Sequence, residues 1–173
     1  MAIAVRRLRP GDDRSRFRSG NIDLDRFFQR FAGQNQFRHH VGTTYVAVEG
    51  DAILGFATVA PSEIAVDNLP ETQRKRLPRY PLPVLRLARL ATHEQSRGRG
   101  VGSTLLQAVF TLAHQMADDL GCVGVVVDAK PDATAFYRKL GFVPLDTRAG
   151  QLGDRPEPAP MFIEIGAIPR PVG

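Results

Sequence analysis

The chain has 173 residues, 43% apolar and 24% charged. That suits one globular domain spanning residues 1–173 and excludes wholesale disorder. The count of 23 Lys+Arg against 18 Asp+Glu leaves a formal net charge of +5, so phosphate-bearing small molecules, nucleic acid and acidic proteins are the favoured partner classes.

The single cysteine, Cys122, excludes an internal disulfide framework and a multi-cysteine zinc site. No run approaches the roughly 18–20 apolar residues of a membrane span. Arg6 and Arg7 follow a very short apolar run, the reverse of a secretory signal, so the cytoplasm is the expected location.

Residues 2–8 alternate weakly and read as a first strand ending at Pro10-Gly11. Asn21 or Asp23 caps a helix predicted over about 24–38, with Leu24, Phe27, Phe28 and Phe31 forming its apolar face. Runs 43–48 and 52–60 are β-rich and flank the turn Glu49-Gly50-Asp51, which reads as a hairpin. Prolines 61, 70, 78, 81 and 83 limit the following connector to short helices and extended pieces. A strand is predicted over 84–92 and a long helix over 100–120. That helix carries Val101, Leu105, Leu106, Val109, Leu112, Ala113 and Met116 on one face and ends at Gly121. Run 123–128 is short and apolar enough to be a buried strand. A short helix over 132–140 closes at Gly141, a strand starts at 142–145, a Pro/Gly-rich loop covers 149–160, and a last strand covers 161–165. The order is that of a mixed α/β domain without internal repeats. Cys122 reads as core. His39-His40 reads as a polar helix end, because no third ligand accompanies the pair and no metal site is expected.

The segment Arg97-Gly98-Arg99-Gly100-Val101-Gly102, followed by Ser103, lies directly between a strand and the long helix. Glycines there let the backbone turn tightly and approach a ligand. A helix start offers free N–H groups and a positive dipole end, which together cradle a pyrophosphate. Arg97 and Arg99 add positive charge beside it. The segment lacks the lysine of a Walker A loop, and Ser103 stands where a Rossmann fingerprint has its third glycine.

About 35 residues on comes Ala135-Phe136-Tyr137-Arg138-Lys139-Leu140-Gly141-Phe142. Arg97-x-x-Gly100-x-Gly102 resembles the acyl-coenzyme A signature of the GNAT superfamily of N-acetyltransferases, and the later segment resembles that superfamily's second motif. Phe17 to Asp25, Arg79 to Val84, Arg89-Leu90-Ala91 and Val127-Asp128-Ala129-Lys130 further resemble the acetyltransferase toxins of bacterial type II toxin–antitoxin systems. Those enzymes acetylate the α-amine of an aminoacyl-tRNA and stop translation. Two positions differ: His93 stands where that group usually has an acid, and Ala88 replaces a frequent glycine.

The resemblance implies a single α/β GNAT-like domain, with a mixed, mostly antiparallel sheet flanked by helices and a splayed strand pair at the cofactor site. It implies acetyl-CoA as acyl donor. The backbone of Leu90, Ala91 and Thr92 would pair with the pantetheine arm, and Arg97, Gly98, Arg99, Gly100, Val101, Gly102, Ser103 and Phe136 would complete the binding site. Tyr137 is implied as general acid, since a phenol of pKa about 10 is protonated at neutral pH. The implied partners are an aminoacyl-tRNA, a ribbon-helix-helix antitoxin and a second copy of the chain. Two other readings stay open at this level: acetylation of a small-molecule amine or protein N-terminus, and a non-catalytic acyl-CoA-binding partner subunit.

No Asp or Glu is singled out by spacing as a general base, and His93-Glu94 reads as a solvated turn. An α-amine with a pKa of about 7.7–8.0 is already partly neutral at pH 7, whereas a lysine amine is not, which favours an α-amine acceptor. Two basic clusters accompany these motifs. Arg6, Arg7, Arg9, Arg14, Arg16 and Arg18 form one, and Arg74, Lys75, Arg76, Arg79, Arg86, Arg89, Arg97 and Arg99 form the other. They read as a tRNA-phosphate surface, a solvated basic face or an antitoxin dock.

Overall fold

The computed structural model describes residues 2–145 and 159–170. The chain forms two compact units, Met1–Ala60 with Leu87–Phe110, and Pro61–Arg86 with Thr111–Gly173. All seven expected strands and all three expected helical regions are present among the described residues, and four of the strand pairs run antiparallel.

The first unit is built on β1 (Ala4–Arg7), β2 (Thr43–Glu49), β3 (Ala52–Ile64) up to Ala60, and the second half of β4 (Leu82–Thr92), in that spatial order. The β2–β3 hairpin carries a buried cross-strand pair, Thr44 and Thr58, whose hydroxyls share a 2.8 Å hydrogen bond. Its register slips between Ala47, opposite Gly55, and Val48, opposite Ile53, leaving Leu54 as the extra residue of a bulge. The Gln36 side chain ties the open end together, donating to the Leu8 carbonyl at 3.2 Å and accepting from the Thr44 N–H at 2.9 Å.

Asn21 is the cap of the first helical region, accepting from the Leu24 N–H at 3.0 Å. Asp23 and Asp25 sit in its first turn, where negative charge suits the helix dipole. The region runs as α1 (Ile22–Arg26), a π segment (Phe27–Phe31) and α2 (Ala32–Phe37). The π step is marked by the bond from the Ala32 N–H to the Phe27 carbonyl, five residues back. Arg14 supports this stretch by donating to the Phe28 carbonyl at 2.8 Å.

The π step alters the expected apolar face. Phe27 and Phe28 are buried and Leu24 packs on the same core, but Phe31 is 41% exposed and Ala32 is buried instead. One extra residue in the turn rotates every later position, so the 3.6-residue spacing read from the sequence fails at Phe31. Phe28 stacks on Phe56 with centroids 4.4 Å apart, and Phe17 meets both rings edge-on.

The second unit holds the first half of β4, then β5 (Gly124–Ala129), β7 (Ala159–Glu164) and the two-residue β6 (Val143–Pro144), in that order. β3 runs on through Pro61 to Ile64, four residues beyond expectation, and the connector reduces to a short 3-10 turn at Val66–Asn68 and the one-turn α3 (Glu71–Arg74). A separate core gathers Ile64, Val66, Leu69, Leu82, Val84, Val126 and Phe162. Cys122 is buried as expected and donates to the Gly124 carbonyl at 3.2 Å. Helix α4 (Val101–Asp119) matches the predicted long helix, with Val101, Leu105, Leu106, Val109 and Ala113 buried and Leu112 and Met116 half-buried. The 149–160 loop expectation lies outside the described residues up to residue 158, and the final strand begins at Ala159 rather than 161.

Phe28 has no solvent exposure and touches two other rings. Phe28→Ala is therefore expected to destabilise the fold by about 3–5 kcal/mol, read as a lowered urea midpoint at unchanged slope.

Candidate active site

In the first unit β4 delivers Leu90, Ala91 and Thr92, and the chain then turns through Glu94–Ser96 into Arg97 and the start of α4. Gly98 and Gly100 take φ of +80° and +75°, a region open to glycine and strained for other residues. Nothing stands within 4 Å of where a Cβ would project at either position, so this side of the turn is open. The Gly100 carbonyl accepts from the Thr104 N–H at 3.0 Å and the Thr104 hydroxyl at 2.9 Å, which fixes the first turn. The N–H groups of Val101, Gly102 and Ser103 precede that first helical bond and have no acceptor within the helix. They form the positive end of a 19-residue helix, an arrangement that holds an anion.

The two arginines of the turn are both engaged within the first unit. Arg97 donates through Nη2 to the Ser19 carbonyl. Arg99 pairs with Glu49 of β2 at 2.5 Å, and that hydrogen bond holds the Glu49 carboxyl below the usual carboxylate range. Both side chains therefore brace the turn, Arg97 while keeping its positive charge and Arg99 in an ion pair.

What seats the turn is Gly55 of β3. A Cβ there would stand 2.8 Å from the Ala91 carbonyl, 2.8 Å from Val101 Cγ1 and 3.2 Å from Leu105 Cδ1. The missing side chain lets the β4 end and the first turn of α4 close onto β3. The neighbouring bulge residue Leu54 accepts from the His93 N–H at 2.7 Å. His93 is itself anchored, correcting the solvated-turn expectation. Its Nδ1 accepts from the Arg18 N–H at 3.1 Å, and its ring lies 5.6 Å from that of Phe17. Gly55, the bulge and the His93 anchor were not singled out from the sequence; a glycine inside a β-rich run was the one available signal.

In the second unit Phe136 and Tyr137 lie on α5 (Thr134–Lys139). Gly141, at φ +104°, ends that helix, and the Phe142 N–H returns to the Tyr137 carbonyl at 3.1 Å. Tyr137 is 5% exposed, between the rings of Phe136 at 5.2 Å and Phe142 at 5.3 Å, both edge-on. Burial pushes its phenol up to about 12, so it stays protonated throughout the neutral range. Among the described residues no group of three or more His, Cys, Asp or Glu side chains is placed to hold a metal ion.

Gly55→Ala is expected to lower stability by about 1–3 kcal/mol through overpacking, because the atoms it would meet include backbone. Gly11→Ala, where nothing lies within 4 Å, serves as the control and is expected to leave the thermal midpoint near its wild-type value.

Residues 40–144 match the family model described as an acetyltransferase (GNAT) domain. The tRNA-acetylating toxin of Mycobacterium tuberculosis (strain ATCC 25618 / H37Rv) is 33% identical over 140 residues, covering 80% of this chain and 83% of the toxin. The structure of AtaT complexed with acetyl-methionyl-tRNAfMet has a TM-score of 0.82 at 24% identity, covering 96% of this chain and 97% of that one. AtaTR bound with AcCoA has a TM-score of 0.76 at 26% identity, with 96% and 95% covered. A tyrosine-to-phenylalanine mutant of KacT has a TM-score of 0.84 at 24% identity, with 97% and 98% covered. The expected mixed, mostly antiparallel α/β fold is therefore shared with solved toxin structures, and on the family match and the curated relative together this chain belongs to the GNAT acetyltransferases.

Proposed function

We propose that this chain is an acetyl-CoA-dependent N-acetyltransferase whose acceptor is the α-amine of an aminoacyl-tRNA, so that its activity blocks translation. The observation that carries the reading is the open Gly98–Ser103 turn, whose backbone amides and helix dipole suit a diphosphate. The acceptor is supported by the relatives. One is a tRNA-acetylating toxin, and AtaT was solved complexed with acetyl-methionyl-tRNAfMet.

Acetyl-CoA supplies the acetyl group as a thioester. The amides of Val101, Gly102 and Ser103, with the backbone of Arg97, Gly98, Arg99 and Gly100, hold the diphosphate. The backbone of Leu90, Ala91 and Thr92 pairs with the pantetheine arm, and an N–H there polarises the reacting carbonyl. Phe136 flanks the arm. The Tyr137 hydroxyl gives its proton to the departing sulfur. An α-amine needs no dedicated base, since it is partly neutral at pH 7.

The chain works as one domain over residues 1–173, as a homodimer in the cytoplasm, and a ribbon-helix-helix antitoxin is its partner. AtaT was solved bound to the C-terminus of the antitoxin AtaR, which supports a partner of that kind.

Tyr137→Phe is expected to lower kcat by about 10²–10⁴-fold while the acetyl-CoA Kd from calorimetry stays unchanged. Induced expression of the wild type is expected to arrest growth, and the variant to relieve the arrest. A wild type that binds no acetyl-CoA would sink the reading. The pH profile has a defined sign. The rate constant kcat/KM rises through about pH 7.7–8.0 as the acceptor amine loses its proton. It then shows no fall up to about pH 10, because burial keeps the Tyr137 phenol protonated until about 12.

A further inference from the structure

In the first unit, residues 93–97 join the Leu90–Thr92 backbone to the open glycine turn. Their path sets how far the amides that would pair with the pantetheine arm stand from those that would hold the diphosphate. Two neighbours hold that path. One is the bulge of β3, where the Leu54 carbonyl accepts from the His93 N–H at 2.7 Å. The other is the segment 17–20.

Residue 18 meets the path through both of its backbone groups. The Arg18 carbonyl accepts from the Glu94 N–H at 2.8 Å, and the Arg18 N–H donates to His93 Nδ1 at 3.1 Å. A strand bridge would offer that N–H a carbonyl. The His93 carbonyl is instead given to the Ser96 N–H at 2.8 Å, which closes the 3-10 turn, and the ring nitrogen takes its place. Arg97 adds a third link by donating to the Ser19 carbonyl, and it lies so close that a Cβ on Gly20 would stand 2.8 Å from its Nη2. The segment is a firm support. Gln29 donates to the Phe17 carbonyl at 2.7 Å, and Asp25 accepts from the Ser19 N–H at 2.9 Å and the Ser19 hydroxyl at 2.6 Å.

We propose, resting on the acetyl-CoA reading above, that His93 is a positioning residue for the acyl donor: its Nδ1, acting through the Arg18 N–H, fixes the path between the two halves of the donor cradle. His93 touches no reacting atom in this role. Its work is done before the donor arrives, because a loop already held in its bound course spends less affinity on ordering. Without the ring acceptor the Arg18 N–H turns to water, the bridge keeps only its Glu94 bond, and the 93–97 path loosens at its first residue. The ring also packs 5.6 Å from that of Phe17, which is buried edge-on against Phe28 and Phe56. Packing is the competing role, and it makes the opposite demand on the side chain: a ring is needed and an acceptor is not.

The test compares the full-length wild type with His93→Asn, which keeps an acceptor and loses the ring, His93→Phe, which keeps a ring and loses the acceptor, and His93→Ala, which loses both. Acetyl-CoA Kd is measured by calorimetry, and thermal melting reports which variants are folded. Phe and Ala both remove the acceptor, so either one that folds decides. Each is expected to bind acetyl-CoA about tenfold more weakly, the size of one lost hydrogen bond, and Asn to stay within about twofold of the wild type. In turnover the acetyl-CoA KM rises by the same factor while kcat at saturating donor and the acceptor KM hold, the pattern of lost uniform binding. Wild-type affinity in the Phe and Ala variants would overturn the proposal. So would an Asn variant as weak as Ala beside a Phe variant that binds normally, since the ring would then act by packing. The readings fail separately. A wild type that binds no acetyl-CoA removes the donor reading and the role of His93 with it. One that binds it equally with every variant loses the role of His93 alone. Calorimetry needs no acceptor, so failure of the aminoacyl-tRNA assignment leaves the result intact.

Discussion

Helix α4 begins where it does because β3 offers it a seat without a side chain. Gly55 leaves room for the Ala91 carbonyl, Val101 and Leu105 to meet over one backbone position. The adjacent bulge turns the Leu54 carbonyl toward His93, whose N–H it accepts. The end of β4, the turn and the helix start are thereby fixed to one strand by close packing and one backbone hydrogen bond. Interiors this tightly packed transmit small volume changes. The spacing between the Leu90–Thr92 backbone and the α4 amides is thus set by a residue that carries no chemistry.

Charge is divided with similar economy. A net +5 invites the picture of a uniformly basic surface. Several arginines instead serve as internal struts, pairing with carboxylates or donating to backbone carbonyls. Exposed pairs of this kind contribute little stability each, but they fix where the guanidinium groups point. Arg97 and Arg99 are the clearest case. They flank the glycine turn in sequence, yet they are committed to Ser19 and Glu49. The helix end adds its own positive field at the turn, and amides fixed in place need no reorganisation to meet an anion.

The π segment does two things at once. It keeps Phe27 and Phe28 on the aromatic core with Phe17 and Phe56, and it turns Phe31 outward. It also sets Arg26 and Arg30 on one groove while Phe27 stays beneath Arg89. Such segments interrupt regular helices mostly where function tolerates the cost. Here the extra residue separates a buried aromatic face from a basic one.

The sequence by itself determined the element order, the aliphatic stripe of α4, the buried β5, and the glycine turn that opens the long helix. Each of these is a local pattern: a period, a cap, a run, or a glycine at φ +75° or +80°. The tyrosine between two phenylalanines was legible as a motif, but its raised pKa was not, because desolvation depends on what packs around the ring. Only the tertiary structure decided the rest: the bulge at Leu54, the steric demand at Gly55, the anchoring of His93, the rotation of Phe31 into solvent, and which carboxylates and carbonyls the arginines meet. Glu49 meets Arg99 across 50 positions, and Arg18 meets His93 across 75. Contacts between residues so far apart in the chain leave no period in the sequence; they exist only once the strands are in register.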